Sequence, residues 1–299
     1  MSTLREISDL FAGAVESVSS AVVAVNARPR LASTGIHWRQ GMIVTADHTV
    51  RTDEDITITR GDGSTVPATL AGRDPGTDLA VLRVTDAGVP TVSLGDPASL
   101  RVGHLVIAVG HGPRASWGMV HALGGRWRTG RGGEVDQFLR PGLTLYPGFS
   151  GGPLVDVEGR VVGMNSSGVS RQLELTVPAT TVSRIADELF EKGRVTRGFI
   201  GVGLHPVPLP EAWRRTLTTP AEVGLMVLSV QPDGPAAQAG VMLGDVLVAL
   251  DGTSVHESDD VQRLVSSRRV GATLVATILR AGSPMEVRIT VGERPSGRR

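Results

Sequence analysis

Cysteine is absent from the sequence, so a disulfide framework, a thiol nucleophile and a thiolate metal site are all excluded. Aromatic residues are scarce at 3%, too few for the stacking platforms that single-stranded nucleic acids require. Excess charge is missing too: 30 Lys plus Arg balance 30 Asp plus Glu, leaving no global field to draw a polyanion or an anionic membrane. Long apolar runs are also lacking, and the first 28 residues have neither a basic stretch before an apolar core nor a membrane span. On these grounds no nucleic acid partner and no integral membrane segment are expected. The cellular expectation is cytoplasmic if the chain is complete, and periplasmic or extracytoplasmic if a signal was removed.

What is abundant is glycine, 38 in 299 residues, set between short Val, Ile and Leu stretches. That texture predicts a mainly β protein. Strand-like runs follow from Ala21 to about Val182: Ala21–Val25, Gly41–Thr45, Ile56–Thr59, Leu79–Val84, Leu105–Val109, Val161–Met164 and Leu173–Val177. Before them, Leu4, Ile7, Leu10, Phe11, Ala14 and Val15 fall on one side of a helix over residues 1–20. After them, Val182, Ile185, Ala186 and Leu189 define a helix from Thr181 to Lys192 with Gly193 as its stop. Residues 21–193 therefore read as one domain and 194–299 as a second. The second holds strands Phe199–Leu204, Leu225–Val230, Val246–Leu250, Thr273–Leu279 and Met285–Val291, a Pro-rich link through Pro206, Pro208 and Pro210, and a helix Asp259–Ser267. The stretch Gly124–Gly133, with Arg126, Arg128 and Arg131, reads as a mobile loop.

Chemistry concentrates in three phrases. Pro147-Gly148-Phe149-Ser150-Gly151-Gly152-Pro153-Leu154 sets a serine among glycines, in a turn that lets a substrate backbone approach and can aim the amides of Gly148 and Ser150 at one oxyanion. A serine is inert at neutral pH without a base, and His48 follows the apolar run Met42-Ile43-Val44-Thr45. An imidazole doing this work needs a carboxylate to fix its tautomer, and Asp78 stands alone at the head of the run Leu79-Ala80-Val81-Leu82. His37, His104, His111, His121, His205 and His256 have no comparable surroundings and no metal-ligand spacing; neither a metal nor a cofactor is expected.

The order His48, Asp78, Ser150 resembles the chymotrypsin-like serine proteases, and the wording of each phrase is similar to the HtrA (DegP-like) branch. The resemblance covers nearly the whole chain, through Leu94-Gly95-Asp96, Arg101-Val102-Gly103, Gly118-Met119-Val120, Gly159 to Asn165, and Val177-Pro178. It implies a double β-barrel, with His48 and Asp78 from the first barrel and Ser150 from the second. It implies a catalytic triad His48, Asp78, Ser150; an oxyanion hole from Gly148, Phe149 and Ser150; and a specificity pocket walled by Asn165, Ser166, Ser167, Gly168, Leu175 and Val177. That wall has no acid except Glu174, so cleavage after small or medium apolar residues is expected. Two positions depart from the family pattern: Phe149 replaces the usual Asn or Asp, and Gly142 the usual Asp eight residues before the serine.

In the second domain, Gly198-Phe199-Ile200-Gly201-Val202 resembles the carboxylate-binding loop of a PDZ domain, a small β-barrel with short helices. Gly234 to Val241, Gly244-Asp245-Val246-Leu247 and Asp251-Gly252 follow in the order seen in HtrA-type PDZ domains. The implied peptide groove is Phe199, Ile200, Gly201 and Val202 on one side and Val261, Leu264 and Val265 on the other, although the last three also read as plain core. Two functions are thus open: a serine endopeptidase acting on unfolded or damaged polypeptides with exposed apolar segments or C-termini, or a catalytically silent peptide-binding scaffold or chaperone. Related enzymes pack N-terminal segments near a threefold axis, so the stripe from Leu4 to Val15 suggests a homotrimer.

Overall fold

The computed structural model describes residues 2–112, 114–170, 172–217, 221–266 and 268–293. Contacts divide the chain into two units, Met1–Val195 and Thr196–Arg299.

In the first unit, helix α1 (Ser2–Ser19) precedes strands β1 (Val22–Asn26), β2 (Ser33–Arg39), β3 (Met42–Ala46), β4 (Thr57–Thr59), β5 (Thr65–Pro67), β6 (Thr69–Asp74) and β7 (Leu79–Arg83). They form one antiparallel sheet in the order β5-β4-β1-β2-β3-β7-β6. Its two edge strands, β5 and β6, are separated in the chain by Ala68 alone, so the edges meet and the sheet closes into a barrel. The second barrel uses β8 (Leu105–Gly110), β9 (Arg114–Gly124), β12 (Phe138–Gly142), β13 (Pro153–Val155), β14 (Val161–Ser166) and β15 (Leu175–Pro178), ordered β12-β9-β8-β13-β14-β15, with β15 lying against β12. A small hairpin, β10 (Trp127–Arg128) with β11 (Glu134–Val135), occupies the stretch expected to be a mobile loop. Arg126 and Arg128 both pair with Glu134, and the buried Thr129 hydroxyl donates to Gly76 O at 2.6 Å, which orders it.

The strands that read as continuous apolar runs do so because each serves two cores. Ile43, Ala80 and Leu82 point into the first barrel, while Met42, Val44, Leu79 and Val81 point into the layer between the barrels. In β8, Val106 and Ala108 fill the second barrel and Ile107 and Val109 face that same layer. Period-two alternation thus leaves no polar face. Helix α2 (Ala179–Lys192) closes the layer with Val182, Ile185, Ala186 and Leu189, and ends on Gly193 in the left-handed region at φ 74°. Of the apolar stripe on α1, Phe11, Ala14 and Val15 pack against the unit, together with Val18, whereas Leu4, Ile7 and Leu10 remain exposed.

The second unit is a sheet ordered β17-β18-β19-β21-β22: β17 (Val202–Pro208), β18 (Val223–Val230), β19 (Val246–Leu250), β21 (Thr273–Arg280) and β22 (Ser283–Thr290). The short β20 (Thr253–Ser254) pairs with β19, and β16 (Gly198–Phe199) with β23 (Gly292–Glu293). Two helical turns, α3 (Glu211–Arg214) and α4 (Pro235–Gln238), and helix α5 (Ser258–Ser266) complete it, Ser267 of the expected helix lying outside the described residues. Pro206 and Pro208, expected in a link, are instead strand residues paired with Leu225 and Val223. They are tolerated because β17 is an edge strand, where a missing N–H breaks no ladder.

Candidate active site

The acid is built first. Asp78 lies just before β7 in the left-handed region, φ 57°, and is fully buried. Its Oδ2 is 2.8 Å from His48 Nδ1, its Oδ1 accepts from the His48 N–H at 2.9 Å, and the Ser166 hydroxyl donates to Oδ2 as well. Three donors on one buried carboxylate satisfy its charge and fix the imidazole's orientation, with Nε2 turned away from the acid. His48 itself sits in the 3-10 turn Asp47–Thr49 after β3, held by Asp47 N donating to Asp78 O at 3.0 Å. Burial pushes the neighbouring Asp47 carboxyl above its ordinary range, against the pull of Arg73. Gly168 closes over the pair: a Cβ there would lie 2.4 Å from His48 Nδ1 and 2.7 Å from Asp78 Oδ2.

The nucleophile follows from a turn. In Tyr146-Pro147-Gly148-Phe149 the Phe149 N–H donates to Tyr146 O at 2.9 Å, with Gly148 at φ 93°, the arrangement that Pro then Gly favour in a type II turn. The Pro147 carbonyl accepts from Arg114 Nη1 at 3.5 Å, so across the trans peptide the Gly148 N–H points the opposite way. Among the described residues neither this N–H nor that of Ser150 has an acceptor, and the two are the open donors of the turn. Phe149 is not a third. Its N–H closes the turn, a correction to the oxyanion set expected from sequence.

The Phe149 side chain explains its own departure from the family pattern. It is buried among Leu100, Val106, Ala108, Val120, Leu139, Leu154 and Val162, with the Tyr146 ring edge-on at 5.7 Å. Gly110 leaves it room, since a Cβ there would come within 2.8 Å of the ring. Apolar anchoring therefore does at this position what a polar side chain would do by hydrogen bonding.

Thr34, overlooked in the sequence, ties the nucleophile turn to the first barrel. Its hydroxyl donates to Gly148 O at 2.6 Å and accepts from His111 N at 3.0 Å, and its N–H donates to Ser150 O at 3.3 Å. His111, set aside on sequence, lies beside this turn with Nε2 3.1 Å from Arg114 Nη2; burial and then the Arg114 charge hold its pKa below the usual range. Neither residue has a local signal, because each acts through a contact across the barrels.

The expected pocket wall is largely spent elsewhere. Asn165 is fully buried, donating to Pro153 O at 2.9 Å and accepting from the Thr176 hydroxyl at 2.9 Å. Leu175 and Val177 are core of the inter-barrel layer, since alternate residues of β15 face it. Ser166 serves Asp78, Ser167 turns to Ser150, and Gly168 covers His48. Glu174, the one acid nearby, accepts the Leu145 N–H at 3.2 Å.

In the second unit Ile200 is core and its carbonyl accepts from Ala236 N at 2.9 Å, while Gly201 sits at φ 79°. Val261 and Val265 are buried core, as one of their two readings from sequence has it, and Val202 and Leu264 are half-buried at its margin. Phe199 is half-buried in β16. The free edge of β17 faces α5, where the Ser258 hydroxyl approaches Leu204 O at 3.4 Å.

Comparison with known proteins agrees with this architecture. The trypsin-like peptidase domain family matches residues 33–164 and the PDZ domain family residues 198–291. A probable periplasmic serine endoprotease, DegP-like, of Brucella suis is 35% identical over 267 residues, covering 86% of this chain and 51% of its own length. One of Pseudomonas fulva, named in the same way, is 34% identical over 276 residues, covering 89% and 56%. The chain thus spans about half the length of the curated relatives it matches. Among solved structures, the HtrA-type protease AlgW with decapeptide superposes with a TM-score of 0.78 at 25% identity, covering 96% of this chain and 99% of its own. The serine endoprotease from Yersinia pestis does so with 0.78 at 28%, covering 95% and 98%. Both of these curated relatives are named as periplasmic, which is the extracytoplasmic one of the two settings expected from sequence. Barrels, site geometry and relatives together place this chain in the HtrA/DegP-like family of trypsin-fold serine proteases, with one PDZ domain.

Proposed function

We propose that the chain is a serine endopeptidase whose catalytic residues are His48, Asp78 and Ser150, with the Gly148 and Ser150 N–H groups as the oxyanion hole. The observation that carries this is the Asp78 to His48 contact of 2.8 Å on a fully buried carboxylate, beside a serine turn with two open amides. In the reaction Ser150 Oγ bonds to the peptide carbonyl carbon as its proton passes to His48 Nε2, and the oxyanion forms against the two amides. Collapse breaks the C–N bond, the amine leaves with the proton from His48, and water repeats the sequence to release the acyl group. Asp78 stays ionised and stabilises the imidazolium throughout. With Glu174 engaged by Leu145, no other acid among the described residues of 165–177 favours Lys or Arg, consistent with cleavage after small or medium apolar residues.

The functional modules on this reading are residues 1–20, 21–193 and 194–299. The last captures polypeptide C-termini by strand addition to the edge of β17, with Gly201 at the carboxylate and Val202 and Leu264 beside the terminal side chain. Exposed Leu4, Ile7 and Leu10, with Trp117 at 66% exposure next to Phe11, support a homotrimer built on the N-terminal helix. Unfolded or damaged polypeptides outside the cytoplasm are the substrates. The deciding experiment is digestion of a permanently unfolded protein by wild type and Ser150→Ala, with and without a peptide ending in an apolar residue. Cutting by wild type alone upholds the reading, and acceleration by the peptide makes the second domain a regulator; no cutting under any condition defeats it.

A further inference from the structure

Ser167 stands between the nucleophile and the base. Its hydroxyl is 3.0 Å from Ser150 Oγ and 3.4 Å from His48 Nε2, and its backbone N–H donates to Ser150 Oγ at 3.3 Å. Among the described residues no hydrogen bond joins Ser150 to His48 directly. The position of Ser167 is itself fixed. The chain beyond β14 coils around the Ser166 hydroxyl, which accepts from Gly168 N at 2.9 Å and Val169 N at 3.1 Å while donating to Asp78. Ser166 and Ser167, successive residues, therefore face opposite ways, one to the acid and one to the nucleophile.

This arrangement occupies what acylation needs. Attack requires an open lone pair on Ser150 Oγ and a proton path of ordinary hydrogen-bond length to the base, about 2.6–3.2 Å. Here one lone pair takes the Ser167 N–H, and the remaining contact leads to Ser167 Oγ rather than to Nε2. A relay through Ser167 would have to cross the 3.4 Å link, longer than that range. We propose that Ser167 is a positioning residue that restrains Ser150 in the resting site, holding its oxygen off His48 until acylation. The proposal rests on the endopeptidase reading above and adds to it a built-in brake.

The test is the rate of fluorophosphonate labelling of the whole chain as wild type, Ser167→Ala, Ser167→Thr and Ser150→Ala, each checked for unaltered thermal unfolding. Removing the intervening hydroxyl is expected to speed labelling about fivefold, the rate equivalent of one neutral hydrogen bond. Ser167→Thr, which keeps a hydroxyl, is expected to label more slowly than Ser167→Ala. A gain in rate is a readout that mere structural damage does not produce. If wild type labels at Ser150 but Ser167→Ala is no faster, the restraint is wrong and the endopeptidase reading stands. Slower labelling of Ser167→Ala makes Ser167 a participant in proton transfer and overturns the restraint as well. Silence of both wild type and Ser167→Ala overturns both ideas together.

Discussion

At Gly168 the lack of a side chain is what allows His48 and Asp78 to meet beneath it, because a methyl group would fall within 2.7 Å of both partners. Gly168→Ala is therefore expected to lower kcat on an unfolded protein about 100-fold, the usual penalty for a misplaced catalytic group, with an unchanged circular dichroism spectrum. Asp78→Asn is expected to cost about 10,000-fold in kcat, since an amide in contact with Nδ1 favours the wrong tautomer. Phe149 acts by volume rather than by charge. Phe149→Ala is expected to destabilise the first unit by about 3–5 kcal/mol in urea unfolding, the cost of emptying a large buried aromatic site, and to loosen the serine turn with it. A loss below about 1 kcal/mol would show that the turn is held by Thr34 instead.

At the scale of elements, the helices and the strands behave differently. Helix α2 was legible in the sequence to within two residues at its start, because a stripe of Val182, Ile185, Ala186 and Leu189 with a terminal glycine is local information. Gly193→Ala is expected to cost roughly 1–2 kcal/mol, the strain of an L-residue in the left-handed region, measurable as a lower Tm. Strands β2 and β9 escaped the sequence reading. Ser33–Arg39 is polar in composition yet buried along most of its length, with the Thr34 hydroxyl bonded to Gly148 O across the barrels, and Arg114–Gly124 leaves Ala115, Trp117 and Met119 exposed while Val120 alone is fully buried. Pattern reading sees only strands whose apolar faces are filled locally. The same reasoning accounts for β17, where prolines suggested a link but an edge position accommodates them.

For the whole molecule, one buried carboxylate ties the stability of the second unit to pH. In the second unit Asp245 is buried, which works against its charge. The Arg280 hydrogen bonds at 2.8 Å, the Met242 N–H and the Arg280 charge outweigh this and hold its pKa below the ordinary range. Because the folded carboxyl titrates below the unfolded one, this contribution is complete above about pH 4 and is lost as pH falls through the lowered value. The hydrogen-exchange protection factors of Val246–Leu250 in the whole chain, corrected for the intrinsic slowing of exchange in acid, are expected to fall over that window. In Asp245→Asn the acid dependence should flatten, and protection at neutral pH should fall; an unaltered pH profile would assign the acid response elsewhere.

By itself the sequence determined the mainly β class, the order of His48, Asp78 and Ser150, the glycine turn around the nucleophile and the helix that ends the first domain. Each is written in neighbouring residues or in a short period, which is all that local sterics and hydrophobic patterning can specify. Only the tertiary structure decided that Thr34 clamps the serine turn, that Phe149 fills the second barrel through the space left by Gly110, that Leu175 and Val177 are core rather than pocket, and that Ser167 lies between Ser150 and His48. Those contacts join residues far apart in sequence. Their geometry comes from how two closed barrels share one apolar layer, and no single stretch of chain carries that information.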